Sequence, residues 1–439
     1  MILVNKNTLM MHMGVISYSI LCALLNNIYI YIPLVIGIFF IFFKKFFEES
    51  KKGIVYFETI FIIAILQMLI FPLISIDNLI NPVRYLFLVI SGFYFFFIGC
   101  SLNRKKINIS HHELKLFFSE KRNKRVIFFT SIIGLCLLLG EMTIQNALIT
   151  TLDSIIGFGI ASSVALLFVD SKKYIWILLT YITLILVESI QNAVFAPFIA
   201  IGLLLFSYLG VLFDLNKIKF ICLILFSLLM LSFIQNVKLS YREMVWLSDT
   251  REFSYQKFIE AMFVKRSDDS SSAFKRAGNG SIISQIYEYV PDNYPHKYGE
   301  KIVSDLSNSL LPRLIFSEKK ALDNTESYTK YTGNSVSENT SVGINVFGIA
   351  YAEFGILGSF IFLFFFGLLL CLINNIFYYF FINKGDYIVL ILMPVIFSNF
   401  FKFEEEFFAQ FTGWVKILLI SGVYILITKS NFNDKVISK

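Results

Sequence analysis

Two cations four residues apart open the longest polar stretch of this otherwise apolar chain. Lys238 and Arg242 stand in the segment FIQNVKLSYRE, residues 233 to 243. On a continuing helix, residues four apart lie on one face about one turn from each other. Two cations in this arrangement can hold a phosphate or diphosphate group through charge-assisted hydrogen bonds. The alternative is that both side chains extend from a helix end to the lipid headgroups.

Acidic residues in apolar surroundings form a second set of candidates. Glu353 stands in AYAEFGILG, and Glu188 stands with Gln191 in the polar notch ESIQN. Carboxylates inside apolar segments are rare and most often functional. Glu353 is therefore a candidate proton acceptor for a hydroxyl group, with structural pairing to an arginine as the alternative. Glu188 and Gln191 are candidates for lining a sugar-binding cavity, unless they only form a turn between two spans.

The cysteines and histidines predict neither a metal site nor a cofactor. The five cysteines occur singly in or beside apolar runs, without a CxxC pair, and are expected to pack as thiols. The four histidines are too scattered for a metal site, and His296 in NYPHKYG is expected to be incidental. The polar stretch also lacks a carboxylate triplet or a DxD motif suited to Mg²⁺.

The elements that must position these residues are membrane-spanning helices. Of the 439 residues, 56% are hydrophobic and 16% are charged, whereas about a quarter of the residues of soluble proteins are charged. An apolar stretch of about 20 residues crosses a bilayer. The sequence predicts an all-α integral membrane protein with about twelve spans, near 8–25, 28–43, 54–75, 83–102, 126–143, 152–169, 174–189, 194–213, 219–237, 347–381, 387–401 and 413–428.

The distribution of lysine and arginine predicts the orientation of these spans. Cytoplasmic short loops carry the basic residues. With the N-terminus inside, 21 basic residues fall on the cytoplasmic side, and three fall in the short outer loops or adjoining helix ends, namely Arg84, Lys402 and Lys416. Both termini are then cytoplasmic, and the first apolar segment is a retained span rather than a cleaved signal peptide.

This topology divides the chain into three regions. Residues 1–237 form nine spans, residues 238–345 form one large outer loop with short helices, and residues 346–439 form three spans and a cytoplasmic tail. The basic cluster at 103–125 is interpreted as a membrane-adjacent loop attracted to anionic headgroups, rather than as a nucleic-acid site. The acidic segment KFEEEFF, residues 402–408, is expected to cap the site or to solvate a turn.

The ordered motifs between residues 233 and 359 resemble those of bacterial O-antigen and capsule repeat-unit polymerases, which are multi-spanning proteins with one large outer loop. The matching positions are Gln235, Val237, Lys238, Tyr241, Arg242, Arg266 or Arg276, Pro291, Tyr298, Gly299, Pro312, Arg313, Phe316, Lys319, Tyr351, Glu353, Phe354, Gly355 and Gly358. Two departures concern the acceptor side. The notch at 188–198 contains no arginine, and Lys320 stands where a proline is expected.

The resemblance implies a fold similar to class C glycosyltransferases and a transfer reaction at the outer face of the bacterial inner membrane. The glycan would pass from one undecaprenyl diphosphate to the next lipid-linked repeat unit. A flippase and a chain-length regulator are the implied protein partners. Lys238, Arg242, Arg266 and Arg313, assisted by Lys319, would stabilise the leaving diphosphate. Tyr241 and Tyr351 would contact substrate, and Glu353 would act as the base.

Alternative functions are an O-antigen ligase with the same donor and a lipid A acceptor, a lipid-linked oligosaccharide flippase or other transporter, and a channel. A ligase is disfavoured because a persuasive histidine motif is missing. A flippase is disfavoured because the large outer loop is unusual for one, and because the two halves show no duplicated pattern.

We predict that Arg242→Lys and Arg313→Lys each abolish long polysaccharide while the protein remains in the membrane. Lysine keeps the charge but cannot make a bidentate contact with a phosphate group. Gel analysis of surface polysaccharide, with immunoblotting of the membrane fraction, measures both quantities. Long chains in either variant would remove that arginine from the site.

Overall fold

The computed structural model describes most of the membrane region and four segments of the large loop. The described ranges are 6–143, 153–191, 195–213, 255–263, 279–310, 324–335, 342–380, 388–401 and 405–430, with isolated residues or pairs between 218 and 245 and at 382, 386 and 403. Every regular element in these ranges is a helix, and no strand occurs there. The expected all-α membrane architecture is confirmed at this level.

The helices before the large loop alternate with short connections. They are α1 (Lys6–Leu25), α2 (Tyr31–Ser50), α3 (Tyr56–Ile65), α4 (Phe71–Ile74), α5 (Pro82–Ser101), α6 (His111–Ser119), α7 (Lys121–Thr143), α8 (Asp153–Val169), α9 (Ser171–Gln191), α10 (Ala196–Phe206) and α11 (Leu209–Leu212). A π-helical turn, Leu66–Ile70, joins α3 to α4.

Four short helices represent the large loop, and three helices follow it. The loop helices are α12 (Tyr255–Phe263), α13 (Gly280–Tyr289), α14 (Glu300–Leu310) and α15 (Asn324–Thr332); the last three are α16 (Val346–Phe380), α17 (Ile388–Phe397) and α18 (Phe407–Ser430). Helix α13 packs on α4, α5 and α16, and α14 packs on α16 and α18. The described parts of the loop therefore cover one end of the helical bundle.

Seven helices of the described chain are long and apolar enough to cross a membrane: Ile28–Ser50, Tyr56–Ile74, Pro82–Ser101, Lys121–Met142, Ser171–Gln191, Val346–Tyr379 and Phe407–Leu426. Four shorter apolar helices, Gly14–Leu25, Ser154–Val169, Ala196–Phe206 and Ile388–Phe401, coincide with four more of the predicted spans. The ninth predicted span, 219–237, lies mostly outside the described residues. The total of twelve spans stays a prediction.

Two helix boundaries differ from those expected. Helix α2 continues to Ser50, so Lys44 and Lys45 lie within it rather than in a loop after residue 43. Helix α18 begins at Phe407 instead of 413, since the Phe407 N–H donates to the Ile344 carbonyl 3.1 Å away. At 1.5 Å per residue, Lys416 therefore lies about 13 Å from the first residue of α18, rather than near the end of the helix.

Glycines allow the backbones of two pairs of helices to approach closely. A Cβ at Gly99 of α5 would lie 2.1 Å from the Phe364 carbonyl oxygen, and one at Gly367 of α16 would lie 2.2 Å from the Phe96 oxygen. A Cβ at Gly134 of α7 would lie 2.9 Å from the Cα of Gly159 in α8. Small residues permit such backbone approach, which drives helix association in membranes.

The polar contacts of α5 and α16 separate into two groups. Arg84 in the first turn of α5 contacts Tyr351, whereas Arg104, just after the end of α5, contacts Glu58. About 20 residues, or 30 Å of helix, separate the two arginines. The Arg84 group lies at the end covered by the loop helices, and the Arg104 group lies at the predicted cytoplasmic end.

We predict that alkaline phosphatase fused after residue 290 is active and that the same enzyme fused after residue 108 is inactive. The reporter folds outside the cytoplasm, and the excess of basic residues places the loop outside. Activity assays on cells, normalised to the amount of fusion protein, measure both. An inactive fusion at 290 together with an active one at 108 would reverse the orientation.

Candidate functional site

The carboxylate of Glu353 is fully buried where the large loop meets α16. Its Oε2 accepts hydrogen bonds from the backbone N–H groups of Gly299, at 3.0 Å, and Lys301, at 3.3 Å. Its Oε1 accepts one from the Tyr331 hydroxyl. The Glu353 carbonyl accepts another from the Tyr298 N–H at 2.8 Å. Glu353 thus joins two separate segments of the loop to α16, and both of its carboxylate oxygens have donors within the protein.

The helix that carries Glu353 breaks two residues later, at Gly355. Its φ of +68° and ψ of −166° interrupt the helical geometry of α16, and glycine adopts this conformation without steric cost. His296 packs against the break, with a Cβ at Gly355 reaching 3.2 Å from its Nε2. The Nδ1 of His296 lies 3.0 Å from the Ala352 carbonyl, so Nδ1 is the donor. His296 therefore fixes the loop to the break and is not an isolated side chain.

Tyr351 positions an arginine that the sequence analysis treated only as an outer charge. Arg84 Nη2 donates to the Tyr351 hydroxyl oxygen at 2.7 Å, and the Tyr351 hydroxyl donates to the Val290 carbonyl at 3.1 Å. Glu288 lies 3.5 Å from Arg84 Nη1. Tyr351 is 2% exposed, whereas the Arg84 side chain is 34% exposed. Arg84 is thus the more accessible member of this group, and the substrate contact of Tyr351 stays a prediction.

The signal that marks Arg84 is local. In NPVR, Asn81 precedes Pro82 at the start of α5, and the Asn81 side chain accepts the Arg84 backbone N–H at 3.1 Å. An arginine in the first turn of an apolar helix is a recognisable candidate for a charged site.

Glu188 lines a cavity of about 360 Å³ between six helices, α7 to α10, α17 and α18. Its polar lining includes Glu141, Lys416 and Asn399 as well as Glu188. Glu141 and Glu188 are half-buried, and Lys416 is exposed. Gln191, predicted together with Glu188, is exposed at the last residue of α9 and is not among the lining residues. The cavity lies near the loop-side ends of α7 and α9.

Sequence reasoning missed Glu141 and Lys416. Glu141 stands near the end of the predicted span 126–143, and Lys416 was assigned to a helix end. Both occur in segments whose periodicity does not show which neighbour they face. The helix start at Phe407 and the packing of α7 beside α9 bring them into the cavity.

Tyr241 packs in a separate apolar cluster with Ile190, Phe195, Val237, Val245 and Ala261. Its ring meets that of Phe258 edge to face, with centroids 5.5 Å apart, and it is fully buried. Lys238, on the same segment, is half-buried. The substrate roles of Lys238 and Tyr241 stay predictions. Arg242, Arg266, Arg313 and Lys319 lie outside the described residues.

Within the described ranges, no group of three or more histidine, cysteine or acidic side chains could hold a metal ion. Comparison with models of protein families, with curated proteins and with solved structures finds no match to this chain.

We predict that Glu353→Leu destabilises the protein by about 3 kcal/mol or more, because two buried N–H groups lose their acceptor. Glu353→Gln should cost only about 1 kcal/mol, since its carbonyl accepts the two N–H groups and its amide donates to Tyr331. Thermal unfolding of the purified variants measures the difference, with Tyr331→Phe as a control for the third bond. Equal stability of the Leu variant and the parent would show that the carboxylate does not hold the loop.

Proposed function

We propose that this chain is a membrane glycosyltransferase that polymerises lipid-linked oligosaccharide repeat units. The observation that carries the proposal is the polar cavity at the loop-side ends of apolar helices, with Glu188 in its lining. Acidic and amide side chains in such helices are costly unless they serve a ligand or pair with each other. A membrane protein that binds only hydrocarbon has no need of them.

The cavity suits a sugar in both size and chemistry. Its volume of about 360 Å³ falls at the lower end of the range of about 300 to 1,000 Å³ for small-ligand pockets. Carboxylate, amide and ammonium groups supply both acceptors and donors for sugar hydroxyls. We assign the cavity to the non-reducing sugar of the acceptor repeat unit.

Glu188 is better placed than Glu353 to contact the acceptor hydroxyl. The Glu188 carboxylate lines an open cavity, whereas the Glu353 carboxylate accepts three hydrogen bonds from loop residues. A general base must come within hydrogen-bond distance of the proton it removes. In this proposal Glu188 receives the proton, and Glu353 anchors the loop over the site.

The donor side needs cations for a leaving diphosphate. Arg84 supplies one at the loop-side end of α5, held by Tyr351 and Glu288. The predicted cations Lys238, Arg242, Arg266 and Arg313 would complete the site, with Lys319 assisting. A fixed guanidinium stabilises developing negative charge without rearrangement during the reaction.

The proposal places the protein in the bacterial inner membrane with both termini in the cytoplasm. The large loop then faces the compartment where lipid-linked repeat units arrive. A flippase that delivers these units, and a regulator of chain length, are the proposed partners.

We predict that Glu188→Gln stops chain growth and leaves single repeat units attached to the cell surface. Glutamine keeps the size and hydrogen-bonding capacity of the side chain but cannot take up the proton. Polysaccharide from a deletion strain complemented with each variant would be resolved on gels. The matched control is Glu48→Gln, which should retain long chains. This exposed carboxylate lies at the end of α2, remote from the large loop.

Three outcomes separate the proposal from its alternatives. Long chains with Glu188→Gln would remove this residue from the chemistry, and long chains in the deletion strain would exclude a polymerase. Loss of all attached glycan, with lipid-linked units accumulating at the outer face, would indicate a ligase. Accumulation of those units on the cytoplasmic side would indicate a transporter.

A further inference from the structure

The segment 102–109 is held firmly at the predicted cytoplasmic end of the bundle, opposite to the proposed active site. The Lys105 N–H donates to the Asn375 side chain at 2.8 Å, and the Asn374 side chain donates to the Lys105 carbonyl at 3.1 Å. At the far end of the segment, the Ile109 N–H donates to the Lys52 carbonyl at 2.8 Å. The segment, which the sequence analysis interpreted as part of a membrane-adjacent loop attracted to anionic headgroups, is thus anchored to α16 and to the connection before α3.

This anchoring buries Arg104, whose side chain is 7% exposed. One guanidinium nitrogen, Nη2, donates to the Glu58 carboxylate, and the guanidinium carbon lies 4.7 Å from the centre of the Phe57 ring. The second terminal nitrogen of Arg104, Nη1, is buried and has no acceptor among the described residues. Burial opposes the charge, but Glu58 nearby raises the pKa of Arg104 above its ordinary value. A buried charged donor without an acceptor is costly, so this nitrogen calls for an anionic or polar ligand.

Arg104 lines a small cavity that also contains the start of α3. The lining residues include Val55, Tyr56 and Phe57, and the volume is about 30 Å³. Val55 precedes the helix without a side-chain cap, and the N–H groups in the first turn of a helix have no intrahelical acceptor. The Glu58 N–H bonds to its own carboxylate, so the N–H groups of Tyr56 and Phe57 are the ones considered for a ligand. The N-terminus of a helix favours anions through these groups and the helix dipole. At about 10 to 15 Å³ for each water-sized atom, the cavity holds about two such atoms.

The charges near the cavity favour an anion. Five cationic and two acidic side chains lie in or beside the cavity, which gives a formal excess of three positive charges. The cations are Lys45, Lys52, Arg104, Lys105 and Lys106, and the carboxylates are Glu49 and Glu58. Each carboxylate already has a cationic partner. Glu58 pairs with Arg104, while Glu49 lies 2.9 Å from Lys106 and 3.2 Å from Lys52. The excess of three positive charges remains after these pairs are counted, and it attracts a further anion.

We propose that this cavity binds two non-bridging oxygens of a phosphate group at the cytoplasmic surface of the membrane. Arg104 Nη1 donates to one oxygen, and the first N–H groups of α3 face the other. The rest of the phosphate ester stays outside the cavity, next to Lys105 and Lys106. The phosphate belongs either to the headgroup of an anionic phospholipid or to a free phosphate. Binding connects α2, α3, the segment 102–109 and α16, and therefore stabilises this end of the bundle.

The test compares the thermal stability of the full-length protein in nanodiscs of phosphatidylcholine, alone or mixed with phosphatidylglycerol, and in phosphatidylcholine with added inorganic phosphate. We expect phosphatidylglycerol to raise the Tm by about 2 °C or more. A rise with the lipid alone identifies the headgroup as the source. An equal rise with inorganic phosphate identifies free phosphate. No rise in either case would overturn the proposal.

Variants show whether the response belongs to this cavity. The double change Glu58→Gln with Arg104→Gln keeps a hydrogen-bonded pair and removes the buried cation, so the affinity should fall about tenfold or more. Lys44 lies on the same membrane face, but its side chain is 80% exposed and lies outside the cavity. The Tm of Lys44→Gln should therefore respond to the lipid like that of the parent. If the double variant does not fold, Lys105→Gln leaves the buried pair intact and should still weaken the response. An unchanged response in both the double variant and Lys105→Gln would place the phosphate elsewhere.

Discussion

The backbone contact between α5 and α16 is the constraint on which the polar groups of Arg84 and Arg104 depend. Gly99 and Gly367 allow the two helices to approach until a Cβ at either position would overlap a carbonyl oxygen of the other helix. Because the axes are this close, Arg84 reaches Tyr351 at one end, and the segment after α5 reaches Asn374 at the other. A larger residue at either glycine would separate the helices and disturb both ends together.

Three carboxylates in apolar helices have three different environments. Glu58 is paired with Arg104, Glu353 accepts hydrogen bonds from the loop, and Glu188 lines a cavity. The cost of a buried carboxylate is offset in the first two by partners within the protein. In the third, the cavity provides space for a ligand to supply hydrogen bonds. This contrast, rather than the abundance of acidic residues, is the reason for assigning substrate contact to Glu188.

The two ends of the bundle carry different charge patterns. At the end covered by the loop helices, Arg84 is held by Tyr351 and Glu288, and His296 fixes the loop to the break at Gly355. At the other end, many cations surround a buried ion pair. The basic residues that predict a cytoplasmic location for this end also line the small cavity there. In the proposed function, the loop side carries out glycan transfer, and the cytoplasmic side stabilises the fold through a phosphate group.

The sequence alone determined the all-α membrane class and the positions of most apolar helices, and it identified Glu188 and Glu353 as candidates, because hydropathy and a charge within an apolar run are local properties. It did not predict the partners of these groups. Arg84 and Tyr351 are 267 positions apart, and Arg104 and Glu58 are 46 apart. Only the packing of helices decides such pairs, since periodicity identifies a buried face but not the helix that covers it. For the same reason, Lys416 was assigned to a helix end until the earlier start of α18 placed it beside Glu188's cavity.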